Sequence, residues 1–240
     1  MSAKHWADPF DPESSTGRTA LIILNEPIPS VAFLEKLWSS AQHRICADGG
    51  ANRLHDLLID ETQRRRYLPN LIKGDLDSLR DDVAAWYRAE GVDVVQDQDQ
   101  YSTDLNKCLN SMKDAPCVRV LLLGGLTGRL DQTAHTISIL HKSRASQQVI
   151  WAFSEMSMAC SLDRGTHIIR INKQTHGPTC GILPVACSTA HISTKGLRWD
   201  VENWVTSFDT QMSTSNQLRE DVVEITTDEP IIWTCELRPL

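Results

Sequence analysis

The sequence predicts an α/β protein, with an N-terminal, mostly parallel sheet covered by helices followed by a C-terminal antiparallel β-sandwich. Three observations predict it. Short apolar runs alternate with helical patterns as far as Val149–Phe153, the signature of βαβ units. Beyond that point short β-prone segments, separated by Gly, Pro, Asn, Asp and Ser, replace the helical ones. In the first part, three acidic clusters each come just after a short apolar run, where the ends of parallel strands converge on one crevice.

Each element has its own pattern. Ala20–Leu24 reads as a strand, and Val31–Trp38 as an amphipathic helix. Arg44–Ala47 is a second strand; Gly49–Leu58 follows, with Leu54, Leu57 and Leu58 at helical spacing. Leu71–Ile72, a helix through Val83–Arg88, Val92–Val95 and the helical pattern Leu105–Met112 come next. Val118–Leu123 is the most apolar run, ended by Gly124-Gly125. Arg129–His141 then puts Leu130, Ala134, Ile137 and His141 on one helical face. The second part contains Thr166–Ile171, Gly181–Val185, His191–Thr194, Val222–Thr226 and Ile231–Leu237, where Trp233 alternates with Ile231, Cys235 and Leu237 as a core residue. The expected division is a flexible arm over residues 1–18, an α/β domain over 19–153 and a β-sandwich over 154–240.

Composition narrows the function classes. The 240 residues carry a formal net charge of −7, which argues against a nucleic-acid backbone as the main ligand. No apolar run has the length of a membrane span, and the first 18 residues, with Asp8, Asp11 and Glu13, lack the apolar core of a signal peptide. The seven cysteines contain no C-x-x-C pair; buried reduced thiols in a cytoplasmic protein are expected.

Three acidic loops carry the chemistry: Gly74-Asp75-Leu76-Asp77-Ser78, Asp99-Gln100-Tyr101-Ser102-Thr103-Asp104 and Gly128-Arg129-Leu130-Asp131-Gln132. Two carboxylates about 4 Å apart repel by about 4 kcal/mol at an effective dielectric near 20, so acids gathered at one place call for a cation. Oxygen ligands suit Mg²⁺, which bridges carboxylates to phosphates. The alternatives are local. Asp77 or Ser78 can cap the following helix, and Thr103 with Asp104 suits a helix start. In Cys46-Ala47-Asp48-Gly49-Gly50-Ala51-Asn52, a strand runs into a Gly-rich turn that suits a phosphate, or a tight turn capped by Asp48; it is neither a dinucleotide fingerprint nor a P-loop. Gly124-Gly125-Leu126-Thr127-Gly128-Arg129 joins Gly-rich backbone to a cation, a plausible phosphate site. In the second part, Lys195-Gly196-Leu197-Arg198-Trp199-Asp200 and Ser213-Thr214-Ser215-Asn216 stand out as a turn with an aromatic and a cluster of hydroxyls with an amide. A core tryptophan and a polar loop explain them equally well.

In this order and spacing, these segments resemble the thiamine pyrophosphokinases of eukaryotes, with a fungal cast, over roughly residues 20–238. Pro230-Ile231-Ile232-Trp233-Thr234 extends the match. The resemblance implies a homodimer with active sites between subunits, and transfer of the pyrophosphoryl group of ATP to the hydroxyl of thiamine. Asp75, Asp77, Asp104 and Asp131 would then bind Mg²⁺. Asp48, Gly49, Gly50, Asn52, Asp99, Gln100, Thr103, Gly125, Thr127 and Gly128 would lie on the ATP side, and Arg129 would face the phosphates. Trp199, Ser213, Thr214, Ser215 and Asn216 would lie on the thiamine side of the C-terminal domain. Leu76 stands where many relatives have Phe, and Tyr101-Ser102 replaces more polar residues; neither removes a ligand. Competing readings are another Mg²⁺-dependent D-x-D transferase and a catalytically silent thiamine or nucleotide sensor.

Overall fold

An unbroken run of buried residues makes β2 (Thr19–Ile23) an interior strand of a large sheet, as a strand covered on both faces must be. The structure, a computed structural model, describes residues 2–11, 18–112, 117–144 and 148–239. Ahead of β2 lies β1 (Lys4–Trp6); after it come α1 (Val31–Ser40), β3 (His43–Ala47), α2 (Gly50–Leu57), α3 (Glu61–Arg66), β4 (Leu71–Gly74) and α4 (Asp81–Ala89). Next are β5 (Asp93–Gln96), α5 (Asp104–Asn110), β6 (Arg119–Leu123), α6 (Leu130–Ser143) and β7 (Val149–Phe153). The rest is strand: β8 (Ser157–Leu162), β9 (Gly165–Arg170), β10 (His176–Leu183), β11 (Ala190–Lys195), β12 (Trp204–Thr206), β13 (Ser213–Gln217), β14 (Val222–Thr227) and β15 (Ile231–Leu237).

Ten strands form one sheet in the order β13-β10-β15-β8-β7-β6-β2-β3-β4-β5. From β7 to β5 all pairs are parallel, and from β7 to β13 all are antiparallel. The order reverses between β2, whose chain continues to β3, and β6 on its other side. Such a switch point opens a crevice at the carboxyl ends of the strands. A second sheet, β1-β9-β14-β11-β12, packs on the antiparallel half. Ile169, Ile192, Val223 and Ile225 from it share one core with Cys180, Ile182, Trp233 and Cys235. The α/β class with a β-rich C-terminal region is as the sequence predicts.

Three details differ from expectation. The N-terminal segment is not a loose arm in its described part: β1 pairs in parallel with β9. Trp6 is buried and meets Trp151 edge-on, its ring centroid 5.7 Å away. Phe10 packs on Phe33 and Phe153. Burying two large aromatics outweighs the polar neighbours that made the segment read as solvated. Residues 1 and 12–17 of that expected arm lie outside the described residues. On α6 the buried face is Thr136, Ile139 and Leu140, while Leu130 is 83% exposed, because the helix begins on the rim of the crevice rather than over the sheet. Finally, α4 is preceded by Arg80 with no side-chain cap, and Asp77 and Ser78 serve the loop instead. No helix among the described residues is long and apolar enough to cross a membrane.

Candidate active site

The crevice at the carboxyl ends of β2, β3, β4 and β6 is a cleft of about 360 Å³. Each wall is a loop that leaves a strand: Leu24 to Glu26 after β2, Asp48 after β3, Asp75 and Ser78 after β4, Asp99 to Asp104 after β5, and Gly124 and Gly125 after β6. Arg129, Gln132, His135 and Thr136 from the start of α6 complete it.

Carboxylate oxygens of Asp48, Asp75 and Asp104 lie within 4.8 Å of one another. Their backbone explains how. Asp48 and Leu76 occupy the left-handed region, with φ of 44° and 66°. A non-glycine residue held there costs on the order of 1–3 kcal/mol, and such costs collect at functional sites. The turn at Asp48 drives its carboxylate under the β4 loop, where Oδ2 accepts from the Ser78 N–H at 3.1 Å. That loop is braced from α2, since the Asn52 amide donates to the Ser78 carbonyl at 2.8 Å and accepts from the Arg80 N–H at 3.2 Å. Asp104 is fixed by α5, whose N-cap is the Thr103 hydroxyl, accepting from the Asn106 N–H. The Asp75 N–H donates to Asp104 Oδ1 at 3.3 Å, tying two acidic loops together.

The electrostatics are unfavourable without a cation. Burial pushes the Asp48 carboxyl up to about 6, the nearby charges of Asp104, Asp75 and Asp77 add to the shift, and the Ser78 N–H opposes it. Asp48 Oδ1 is buried with no hydrogen-bond partner, and an unsatisfied buried acceptor of this kind costs about 1–3 kcal/mol. An all-oxygen set with an orphaned, inward-facing oxygen is what a hard divalent cation satisfies. The carboxylate cluster is thus of a kind that holds a divalent metal.

The sequence-predicted residues divide. Asp75 and Asp104 are in the cluster, and Asp48, Asp99, Gln100, Thr103, Gly125 and Arg129 line the cleft. Asp77 lies outside the trio; its Oδ1 accepts from the Ser78 hydroxyl at 3.0 Å. Asp131 is also outside, paired with Arg129 at 2.6 Å on the exposed rim. Gly49, Gly50, Asn52, Thr127 and Gly128 support the walls without lining the cleft. Gly50 abuts the Ile23 carbonyl and Gly128, at φ 79°, abuts the Glu26 carboxylate, so a Cβ at either would collide. Asp99 is turned to its own loop, accepting from the Tyr101 N–H and the Ser102 hydroxyl.

Sequence reasoning missed four residues. Asn25 and Glu26 follow an apolar strand just as the recognised acids do. His135, 3.0 Å from the Thr103 hydroxyl, looked structural on α6. Lys107 lies three residues after Asp104, and that helical spacing was the available signal.

The C-terminal residues lie elsewhere. Ser213–Gln217 is the edge strand β13, and none of Trp199, Ser213, Thr214, Ser215 or Asn216 lines the cleft. Thr214 and Ser215 border a separate hollow of about 360 Å³ with Met156, Cys180, Cys235 and Glu236. Asn216 accepts from the Trp199 N–H at 3.2 Å and donates to its carbonyl at 2.9 Å. Trp199 is 52% exposed, with the Arg198 guanidinium 4.7 Å from its ring centre.

Known proteins match both halves of the chain. Residues 34–152 match the family described as thiamin pyrophosphokinase, catalytic domain, and residues 166–232 match thiamin pyrophosphokinase, vitamin B1 binding domain. Thiamine pyrophosphokinase 3 of Oryza sativa is 38% identical, covering 91% of this chain and 87% of its own length. The chain belongs to the thiamine pyrophosphokinase family. A Saccharomyces cerevisiae member is 33% identical over 99% of this chain and 90% of its own length, so plant and fungal relatives are similarly near. The crystal structure of the yeast thiamin pyrophosphokinase superposes with a TM-score of 0.89 at 30% identity, covering 99% of this chain and 92% of that one. The structure from Candida albicans gives 0.86 at 24% identity over 98% and 93%.

Proposed function

We propose that this chain is a thiamine diphosphokinase, transferring the pyrophosphoryl group of ATP to the hydroxyl of thiamine to give thiamine diphosphate and AMP. The observation that carries the reading is the trio Asp48, Asp75 and Asp104, gathered at the switch-point cleft, in a chain of this family.

Within it, Asp48, Asp75 and Asp104 would hold Mg²⁺, while Asp77 serves the same loop as Asp75 and Asp131 stays on the rim with Arg129. Mg²⁺ when bound neutralises charge on the transferred phosphates and on the departing AMP oxygen. The protein's own part is positioning. Arg129 on the rim takes a phosphate as a planar donor. The Gly124–Gly128 turn, Gln100 and Thr103 confine the triphosphate so that its β-phosphorus, rather than γ, meets the hydroxyl. Asp48 through Asn52 and Asp99 border the nucleotide, partly through the loop they brace.

Thiamine binds at Trp199 and Ser213 through Asn216 of a second copy of the chain. Support comes from distance: β13 lies six strand spacings from β2 in the sheet, about 29 Å at the usual spacing. Thiamine held there cannot bring its hydroxyl to the cleft of the same chain, whereas a homodimer joins the two halves. Residues 19–153 act as the nucleotide and metal domain and 154–240 as the thiamine domain. A cytoplasmic setting is supported by seven free cysteines. The net charge of −7 supports a protein without nucleic-acid or membrane partners; the fungal cast rests on the motif resemblance alone, since the rice relative is the more identical of the two. The test is AMP release from ATP and Mg²⁺ with and without thiamine. Thiamine-dependent AMP is expected; thiamine binding without AMP would make the protein a sensor and overturn the proposal.

A further inference from the structure

One cation is already built into the carboxylate cluster. Lys107, on α5, is 2% exposed, and its Nζ lies 3.3 Å from Asp104 Oδ1 and 4.0 Å from Asp75 Oδ2. Lysine is almost never this buried without a partner that holds it there. Among the described residues it is the sole cation within ion-pair distance of the trio. Its neighbour Lys73 is turned to Asp97, 3.3 Å away.

We propose that Lys107 is a positioning residue of the metal site, a resident counter-cation that holds Asp75 and Asp104 together and lowers the charge a metal ion encounters. The idea rests on the metal reading given above. Two features of the geometry carry it. Asp104 Oδ1 receives both the Lys107 ammonium and the Asp75 N–H, so the ammonium sits where the two acidic loops join. The orphaned Oδ1 of Asp48 remains unserved by it, leaving one side of the trio open for a second cation. Three carboxylates and one ammonium leave two negative charges, the complement of one divalent ion. Lys107 thereby keeps the nucleotide-free cluster assembled yet weak for free metal, and the ion enters firmly only with the triphosphate.

The probe is Mn²⁺ alone, followed by electron paramagnetic resonance on nucleotide-free protein, beside the melting temperature in EDTA and in Mg²⁺. In Lys107→Met, the Mn²⁺ dissociation constant is expected to fall about tenfold or more. The melting temperature in EDTA drops, and Mg²⁺ restores most of it, a larger rise than in the wild type. Unchanged or weaker Mn²⁺ binding with an unchanged Mg²⁺ effect on melting would make Lys107 a packing residue and overturn the proposal. If Lys107→Met fails to fold in either condition, Lys107→Met combined with Asp104→Asn removes one charge of each sign. That pair folds if charge balance is the lysine's task, and stays unfolded if packing is. Absence of Mn²⁺ binding to both wild type and Lys107→Met, with and without ATP, would instead sink the metal reading itself.

Discussion

The two ends of the long sheet solve opposite problems. At the parallel end, like charges are forced together against their repulsion, with left-handed backbone at Asp48 and Leu76 and buried Lys107 beneath them. At the antiparallel end, the hollow beside β13 is walled by Met156, Cys180 and Leu183 and edged by the hydroxyls of Thr179, Thr214 and Ser215 together with the Glu236 carboxylate. Several like charges need loops that hold them close, whereas a hollow with a single carboxylate needs only the edge of a sheet. The difference teaches that the charged cleft and the mostly apolar hollow are built on separate halves of one chain.

The sharpest way to break this division is at its charged end. Asp75→Asn should lower AMP release on the order of a thousandfold while the melting temperature holds or rises, since a repelling charge is gone. Near-normal turnover would show that the cluster is ornamental. At the other end, Asn216→Ala removes both bonds to the Trp199 backbone. A buried hydrogen bond left unmade costs about 1–3 kcal/mol, so the KM for thiamine should rise about tenfold to a hundredfold with the KM for ATP unmoved. A shift in the ATP value would mean the two ends are not separate.

Mixing these two variants after dissociation sharpens the point. If each site draws on two chains, random reassortment puts one intact site in about half of the dimers, so about a quarter of wild-type sites return; no recovery would place both functions in one chain. A smaller effect is expected at the lip, where Gly128→Ala meets a positive φ and the Glu26 carboxylate. It should cost about 1–3 kcal/mol of stability, read by urea unfolding. The smallest effect belongs to a pair outside the cleft. Asp56 is drawn down to about 2 by hydrogen bonds from Arg80, and both side chains are about half exposed. Because the folded-state value is lowered, the stabilisation is present above the unfolded carboxylate range near pH 4 and fades as pH falls through about 2. Asp56→Asn should therefore cost less than about 1 kcal/mol at neutral pH and leave turnover unchanged.

Much of this was legible in the sequence, for physical reasons. Ile231–Leu237 and Val149–Phe153 emerge with the boundaries read from their apolar pattern, because buried strands tolerate few polar residues. β1 did not, since its only signal is three residues and its partner β9 is some 160 positions away. Asp75 and Asp104 were legible as acids after strands. Asp48 was placed beside the nucleotide, since a Gly-rich turn ahead of a helix offers a cap as readily as a ligand. Asp131 follows the same strand-end pattern, yet its neighbour Arg129 pairs with it on the rim, a competition sequence spacing does not reveal. Lys107 resembled any surface lysine; only the packing of α5 on β3 and β4 shows that its helical face turns inward.

The hydrogen-bonded junction of β7 with β8 has a mechanical consequence. Two-lobed transferases often shut like jaws about a hinge, but here such swinging would tear a continuous ladder of backbone bonds.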